Sequence, residues 1–314
     1  MSEPSNPTPS TATATATTST ESADSGHHAT RRVHTFETVV SDVIRETADA
    51  TTLVLVPTGS APSYRAGQFL TIDPHQFPAL HGFTHFLEEQ KGKRELVRAY
   101  SVSSSPHEKR IAFTIKVEPY LPGVTKYPPL LSPWLTYGVE RGSTMEVTGF
   151  TGAYTFAHDI ESRVDTVLHV VAGSGSVPNL SLLKWDLETN SKLKHVFVYS
   201  NKAHADIIFR EQLDSLRRRF PERLKLVHML TRELPHPYGP DYRAGRISLE
   251  LLRELIPSPE RVEAYVCGAG ITIHQRKEAL AKGEKPAPRF LECMVDLLGQ
   301  LGLNRKQIHQ EAFG

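Results

Sequence analysis

Arg98-Ala99-Tyr100-Ser101-Val102-Ser103 places a fixed cation, an aromatic ring and a hydroxyl within one extended segment. Side chains two positions apart on a strand share a face, so Arg98 and Tyr100 present together. A guanidinium binds a diphosphate through paired hydrogen bonds, and a Tyr ring stacks on or beside a planar heterocycle. The set suits a flavin nucleotide, although an ordinary edge strand with a polar outer face would show the same residues. Ala66-Gly67-Gln68-Phe69 upstream and Ser132-Pro133-Trp134-Leu135 downstream favour the nucleotide. The second of these predicts a short helix with Ser132 as N-cap and Pro133 at the first helical position, a natural phosphate seat. A plain cap is the other reading of Ser132.

Two glycine turns come later in the chain. Val171-Ala172-Gly173-Ser174-Gly175-Ser176-Val177-Pro178 follows an apolar run and precedes helical spacing of Leu180, Leu183 and Leu187. Such a turn lets backbone N–H groups approach a pyrophosphate, although Pro178 stands where a third glycine would complete G-x-G-x-x-G. Tyr265-Val266-Cys267-Gly268-Ala269-Gly270 repeats the arrangement after another apolar run. Two crests at one sheet edge make a ligand site, while Cys267 alone reads equally as a small buried apolar residue. Arg217-Arg218-Arg219 with Arg223 and Lys225 is a basic cluster at a helix end. It either complements the helix dipole or docks an acidic electron carrier. The histidines show no metal-ligand spacing, and no metal is assigned.

These residues need two kinds of scaffold. Phe36 to Val43, Thr51 to Val56, Gln68 to Ile72, Ile111 to Val117 and Thr144 to Thr148 are short β-type runs separated by Gly and Pro, the pattern of a small antiparallel barrel. After Asp165 the runs Val167 to Ala172, His195 to Ser200, Lys225 to Leu230 and Ala264 to Cys267 read as buried strands of a parallel sheet. Leu213, Leu216 and Phe220 share one face of an intervening helix, and Phe290, Met294, Leu297, Leu298 and Leu301 share one face of the last. The expected fold is a six-stranded antiparallel barrel over 34–160 followed by an α/β domain over 161–314. A Ser/Thr/Ala/Pro-rich tail over 1–33 has almost nothing to bury and is expected to be disordered.

A length of 314 residues accommodates two domains. With 36 Lys plus Arg against 35 Asp plus Glu, no long-range field gathers nucleic acid or an anionic membrane. No apolar run approaches the roughly 18 residues of a spanning helix, and no secretory signal order is visible, so a cytoplasmic protein is expected. Cys267 and Cys293 are the only thiols and cannot supply the ligands of a ferredoxin-type cluster.

Taken in order, the motifs resemble the ferredoxin-NADP reductase superfamily, in particular reductase components of oxygenases without an iron–sulfur domain, over about residues 35–314. The resemblance implies FAD, rather than FMN, held by Arg98 at its phosphates and Tyr100 on its ring system, with the Ser101 hydroxyl near flavin N5 and a second phosphate segment at Ser132. It implies the dinucleotide pyrophosphate at Gly173, Ser174 and Gly175, the nicotinamide at Cys267 and Gly268, and a closing E-x-F in Glu311-Ala312-Phe313. Ser101, Cys267 and Glu311 are thereby the expected catalytic set, with Phe313 flanking the flavin. Thr231-Arg232-Glu233 resembles the S-R-E segment that holds a 2′-phosphate, while Ser200-Asn201-Lys202 lacks the acid that favours NADH, so NADPH is preferred over NADH. Three features depart from the family: a long link from Asp73 to Leu96, a missing glycine before Ser132, and an insert around Lys282 to Pro288. The implied chemistry is hydride transfer from nicotinamide C4 to flavin N5, then electron delivery to a separate ferredoxin or oxygenase. A diaphorase-like reductase of free flavin, quinone or ferric chelates, or a non-catalytic flavin and nucleotide module, are the competing readings. A monomer is the expected state.

Overall fold

Thr144, Met145, Glu146 and Val147 point alternately outward and inward along one strand, and this two-residue period organises the first half of the chain. The computed structural model describes residues 33–117, 120, 122, 126–189 and 191–313. All but the last residue of the expected tail lies outside them. The first half holds β1 (His34–Thr47), β2 (Ala50–Pro57), β3 (Phe69–Ile72), β4 (Arg98–Ser101), β5 (Ile111–Lys116) and β6 (Thr144–Thr151). They form an antiparallel sheet in the order β4-β3-β6-β1-β2-β5, and a bridge between Val102 and Phe113 brings its two edges together into a barrel. Leu53, Leu55, Leu70, Val102, Phe113 and Val147 fill its interior.

The long link from Asp73 to Leu96 is not a bare loop. It contains two short 3-10 turns and α1 (His81–Lys91), which ends at Gly92 in the left-handed region with φ 64°. Leu80 and Leu87 bury against the barrel core, with Phe83 packed beside them. Farther on, α2 (Leu131–Pro133) runs into a π-type turn over Trp134–Gly138, and α3 (Ile160–Arg163) follows β6 before the second sheet begins.

The second half runs β7 (Thr166–Ala172), α4 (Ser176–Glu188), β8 (Lys194–Asn201), α5 (Arg210–Arg219), β9 (Leu224–Leu230), β10 (Tyr242–Ala244), α6 (Leu249–Leu255), β11 (Val262–Ala269), α7 (Ile273–Ala281), α8 (Phe290–Leu301) and β12 (Ile308–Phe313). The parallel sheet has the order β10-β9-β8-β7-β11-β12, so β10 and β12 add to the strands read from apolar runs. Apolar residues on both faces explain those runs: Val167, Val171, Phe197 and Tyr199 pack on one side, Leu168, Val170, Val196 and Val198 on the other. Leu213 and Leu216 of α5 are buried and Phe220 packs just beyond its end; Met294, Leu298 and Leu301 of α8 are buried. A line of polar side chains crosses the same core, from Tyr154 through Asn179, His169 and His195 to Asp186, with contacts of 3.0, 2.7, 3.0 and 2.8 Å. Arg223 closes it with an ion pair to Asp186 at 2.7 Å. Burial pushes His169 down to about 3, so this ring stays neutral and serves as a hydrogen-bonding strut between strand and helix.

Candidate functional site

The chain runs outward from β7 through β8 to β9 and then returns to β11 on the other side of β7. Strand order therefore reverses between β7 and β11, and the crevice beyond their carboxyl ends is where open α/β sheets bind ligands. Both glycine crests meet there. Residues 173–175 form a 3-10 turn leading into α4. A Cβ on Gly175 would fall 2.1 Å from the carbonyl oxygen of Cys267, so only glycine lets the turn lie against the end of β11. Gly173 has φ 53° and open space where a Cβ would stand, which leaves its backbone approachable from solvent. Beneath the turn, the buried hydroxyl of Tyr199 lies 2.9 Å from Gly173 O and 3.0 Å from Ser176 Oγ, fixing its shape.

In register, Cys267 sits between Val171 of β7 and Glu311 of β12, while Gly268 pairs with Ala312 and Ala269 with Phe313. Burial pushes the Cys267 thiol well up, and the neighbouring Glu311 charge adds to this, so it is a neutral, small and dry side chain. Across from it the barrel contributes Ser101, whose Oγ is 3.5 Å from Glu311 Oε1, at the outer limit of a hydrogen bond. Burial raises the Glu311 carboxyl to about 7, against a smaller lowering by Ser101. A carboxyl poised there can hold or release a proton near neutrality. Ser101, Cys267 and Glu311, far apart in sequence, are thus brought together.

Alternation along β4 sends Arg98 and Tyr100 the other way, into a cleft of about 630 Å³ that Ser132 also lines. Tyr100 packs its ring 5.5 Å from that of Phe113. Arg98 is already engaged: its Nη2 lies 2.6 Å from Glu95 and its Nη1 donates to Leu96 O at 2.5 Å. The expected N-cap role of Ser132 is corrected. The helical turn begins two residues earlier, Leu130 is its N-cap and offers no side-chain bond, and Ser132 and Pro133 are the second and third helical residues. None of the first-turn N–H groups of a helix has an intrahelical acceptor, so Pro is tolerated throughout that turn and does not mark its first residue.

Thr231 and Arg232 stand apart from both groups, on the crest after β9. Thr231 N and Arg232 N donate to Asn201 O and Lys202 O at 2.9 and 2.8 Å, which lays this crest against the end of β8. The Arg232 side chain is exposed and, among the described residues, has no acid partner. Glu233 is committed elsewhere, accepting from His204 N at 2.6 Å and bonding the Tyr238 hydroxyl. In the basic cluster, Arg217, Arg219 and Arg223 pair with Asp241, Glu188 and Asp186 at 3.2, 2.6 and 2.7 Å. That consumes most of the charge a docking face would need.

Residues 170–275 match the oxidoreductase NAD-binding domain family. The chain is 29% identical over 280 residues to the ferredoxin reductase component of 3-ketosteroid-9-alpha-monooxygenase from Rhodococcus rhodochrous, covering 87% of this chain and 64% of the relative. Among solved structures, the FAD/NAD binding domain of nitric oxide dioxygenase from Vibrio cholerae O1 biovar El Tor superposes with TM-score 0.65 at 21% identity, covering 89% of this chain and 98% of that one. Ferredoxin-NADP+ reductase from Plasmodium falciparum superposes at 0.60 with 15% identity, covering 89% and 96%. The chain shares its fold with these two structures. It spans less than two thirds of the length of the first curated relatives it matches. Two local features stand out in this chain, the α1 segment between β3 and β4 and the exposed segment 282–288 between α7 and α8. Lys91, Glu95 and Tyr127, which meet Arg98 in the cleft or beneath it, were not legible as site residues. The helical spacing of Leu80, Phe83 and Leu87 before Gly92 is the signal that could have found α1.

Proposed function

We propose that the chain is an NAD(P)H-dependent flavoprotein reductase that passes electrons to a separate ferredoxin or oxygenase component. The carrying observation is the meeting of Ser101 from the barrel with Glu311 and Cys267 from the sheet at the switch point. The barrel, 34–160, would hold the flavin and 161–314 the nicotinamide dinucleotide. The residues fit these groups: an open cleft with Arg98, Tyr100 and Ser132, and a glycine turn whose backbone can be approached at Gly173. A bound flavin supplies acceptance of a hydride and release of electrons singly.

The chain's own residues bind, orient and manage protons. Arg98 and Ser132 hold the flavin phosphates, and Tyr100 and Phe313 flank its rings. Ser101 Oγ and Glu311 Oε1 form a hydrogen-bonded pair through which a proton can be kept at, or taken from, the reacting edge. Cys267, neutral and buried, gives the nicotinamide a close contact without a competing charge. Gly173, Ser174, Gly175 and Gly268 leave room for the pyrophosphate and the ring. Arg232, which has no acid partner among the described residues, with Thr231 beside it, suits a 2′-phosphate and favours NADPH. The relatives named as ferredoxin reductase components and monooxygenase reductase subunits support a separate protein acceptor. Among the described residues no helix is long and apolar enough to cross a membrane.

The test is anaerobic titration of the purified protein with NADPH and then NADH, following flavin absorbance. Bleaching by a stoichiometric amount of NADPH is the expected result. A colourless protein, or one bleached by neither coenzyme, would reject the assignment.

A further inference from the structure

The insert between β3 and β4 delivers a second cation to the flavin cleft. Lys91, in the last turn of α1, lines that cleft together with Arg98, Tyr100, Lys126, Tyr127 and Ser132. Underneath, the Glu95 carboxylate is 97% removed from solvent and bonds both Lys91 Nζ and Arg98 Nη2, the latter at 2.6 Å. One buried acid therefore fixes two cations at the same wall. Lys91 Nζ and Lys126 Nζ also lie 5.0 and 5.2 Å from the centre of the Tyr127 ring. The Tyr127 hydroxyl donates to Gln90 O at 3.1 Å, tying this ring to α1. Among the described residues Lys126 has no acid partner, and the one carboxylate lining the cleft, Glu278, is already paired with Lys282 at 2.9 Å.

Three cations gathered in one cleft repel one another, and Glu95 offsets only part of that cost. An arrangement of this kind is stabilised by a polyanion. Its volume, about 630 Å³, lies within the usual range of cofactor sites. A monophosphate would engage one of the paired cations, whereas a diphosphate can bridge Lys91 and Arg98 together.

We propose that the 73–96 insert makes this cleft a diphosphate seat, with Lys91 as a flavin-pyrophosphate ligand beside Arg98 and with Glu95 and Tyr127 as its positioning residues. The inference rests on the flavin reading above and deepens it: α1 selects the dinucleotide form of the flavin over the mononucleotide.

Full-length protein freed of flavin is titrated with FAD and with FMN by equilibrium dialysis, as wild type, Lys91→Ala and Lys91→Arg, with thermal melts confirming that the variants fold. Lys91→Ala is expected to weaken FAD by roughly tenfold or more, the scale of one charge-assisted hydrogen bond, and FMN by less than about threefold. Lys91→Arg, which keeps the charge, recovers most of the FAD affinity. The FAD loss shrinks with added salt, as a phosphate contact requires. Unchanged FAD affinity in Lys91→Ala, equal losses for both flavins, or a wild type that binds FMN as tightly as FAD would each overturn the seat and leave the flavin reading standing. A wild type with affinity for neither flavin would reject both.

Discussion

Replacing Glu311 with Gln keeps the shape of the side chain at the junction of barrel and sheet but removes its titrating proton. In the folded protein burial raises this carboxyl from 4.5 to about 7. At about 1.4 kcal/mol per tenfold, the displacement corresponds to roughly 3 kcal/mol, an upper value because solvent reaches part of the group. The sign follows from linkage. Below pH 4.5 both folded and unfolded chains hold the proton, and the group contributes no pH dependence. Between 4.5 and about 7 the folded chain keeps the proton that the unfolded chain loses, so wild-type stability falls as pH rises through this window. Above it both forms are ionised and the loss is complete. Glu311→Gln lacks this loss. Denaturant unfolding of both proteins, at about pH 4.5 and about pH 8, should show the variant gaining about 1 to 3 kcal/mol relative to wild type at the higher pH. In the same variant, the rate of flavin reduction by the coenzyme loses any inflection near neutrality. A difference between the two proteins that does not change with pH, or one that grows in favour of wild type as pH rises, would refute the account of a proton held at Glu311.

Arg232→Ala should weaken NADPH by roughly tenfold or more while leaving NADH nearly unchanged, measured as kcat/KM for each coenzyme; equal losses would remove the 2′-phosphate assignment. Gly175→Ala would drive a methyl group to 2.1 Å from the backbone of Cys267, so a lowered Tm, equivalent to about 1 to 3 kcal/mol or more, is expected together with weakened coenzyme binding. A Gly175→Ala protein with native Tm and native coenzyme affinity would show that the two crests do not pack as described.

Much of this architecture can be read from residue order. Alternating residues announce the barrel strands because one face of each is wet, as where buried Met145 and Val147 alternate with exposed Thr144 and Glu146. Continuous runs such as Val167 to Val171 announce sheet strands because helices cover both faces. The edge strands escaped this logic. β12 reads Ile308-His309-Gln310-Glu311-Ala312-Phe313, with neither alternation nor an apolar run, since it is half-wet and carries a site residue. Only the resemblance pointed to Glu311; its raised carboxyl depends on burial beside Cys267 and Ser101, which no local spacing encodes. The strut from His169 through His195 to Asp186 was illegible for the same reason, being made of single residues on β7, β8 and α4. α1 was hidden by its composition, since Gly82, two His and the absence of an N-cap side chain weaken a helical pattern that Leu80 and Leu87 anchor to the barrel.

The contact between Ser101 and Glu311 joins residues 210 positions apart. Closing so long a loop is entropically slow, and each partner lies on a strand that needs its own sheet to exist first. The junction of Ser101 and Glu311 is therefore expected among the last native features to form during folding. Neither half expressed alone can contain it, whatever cofactor it retains. A bleaching assay on refolding protein would then report completion of the whole molecule, while far-UV signals would recover earlier.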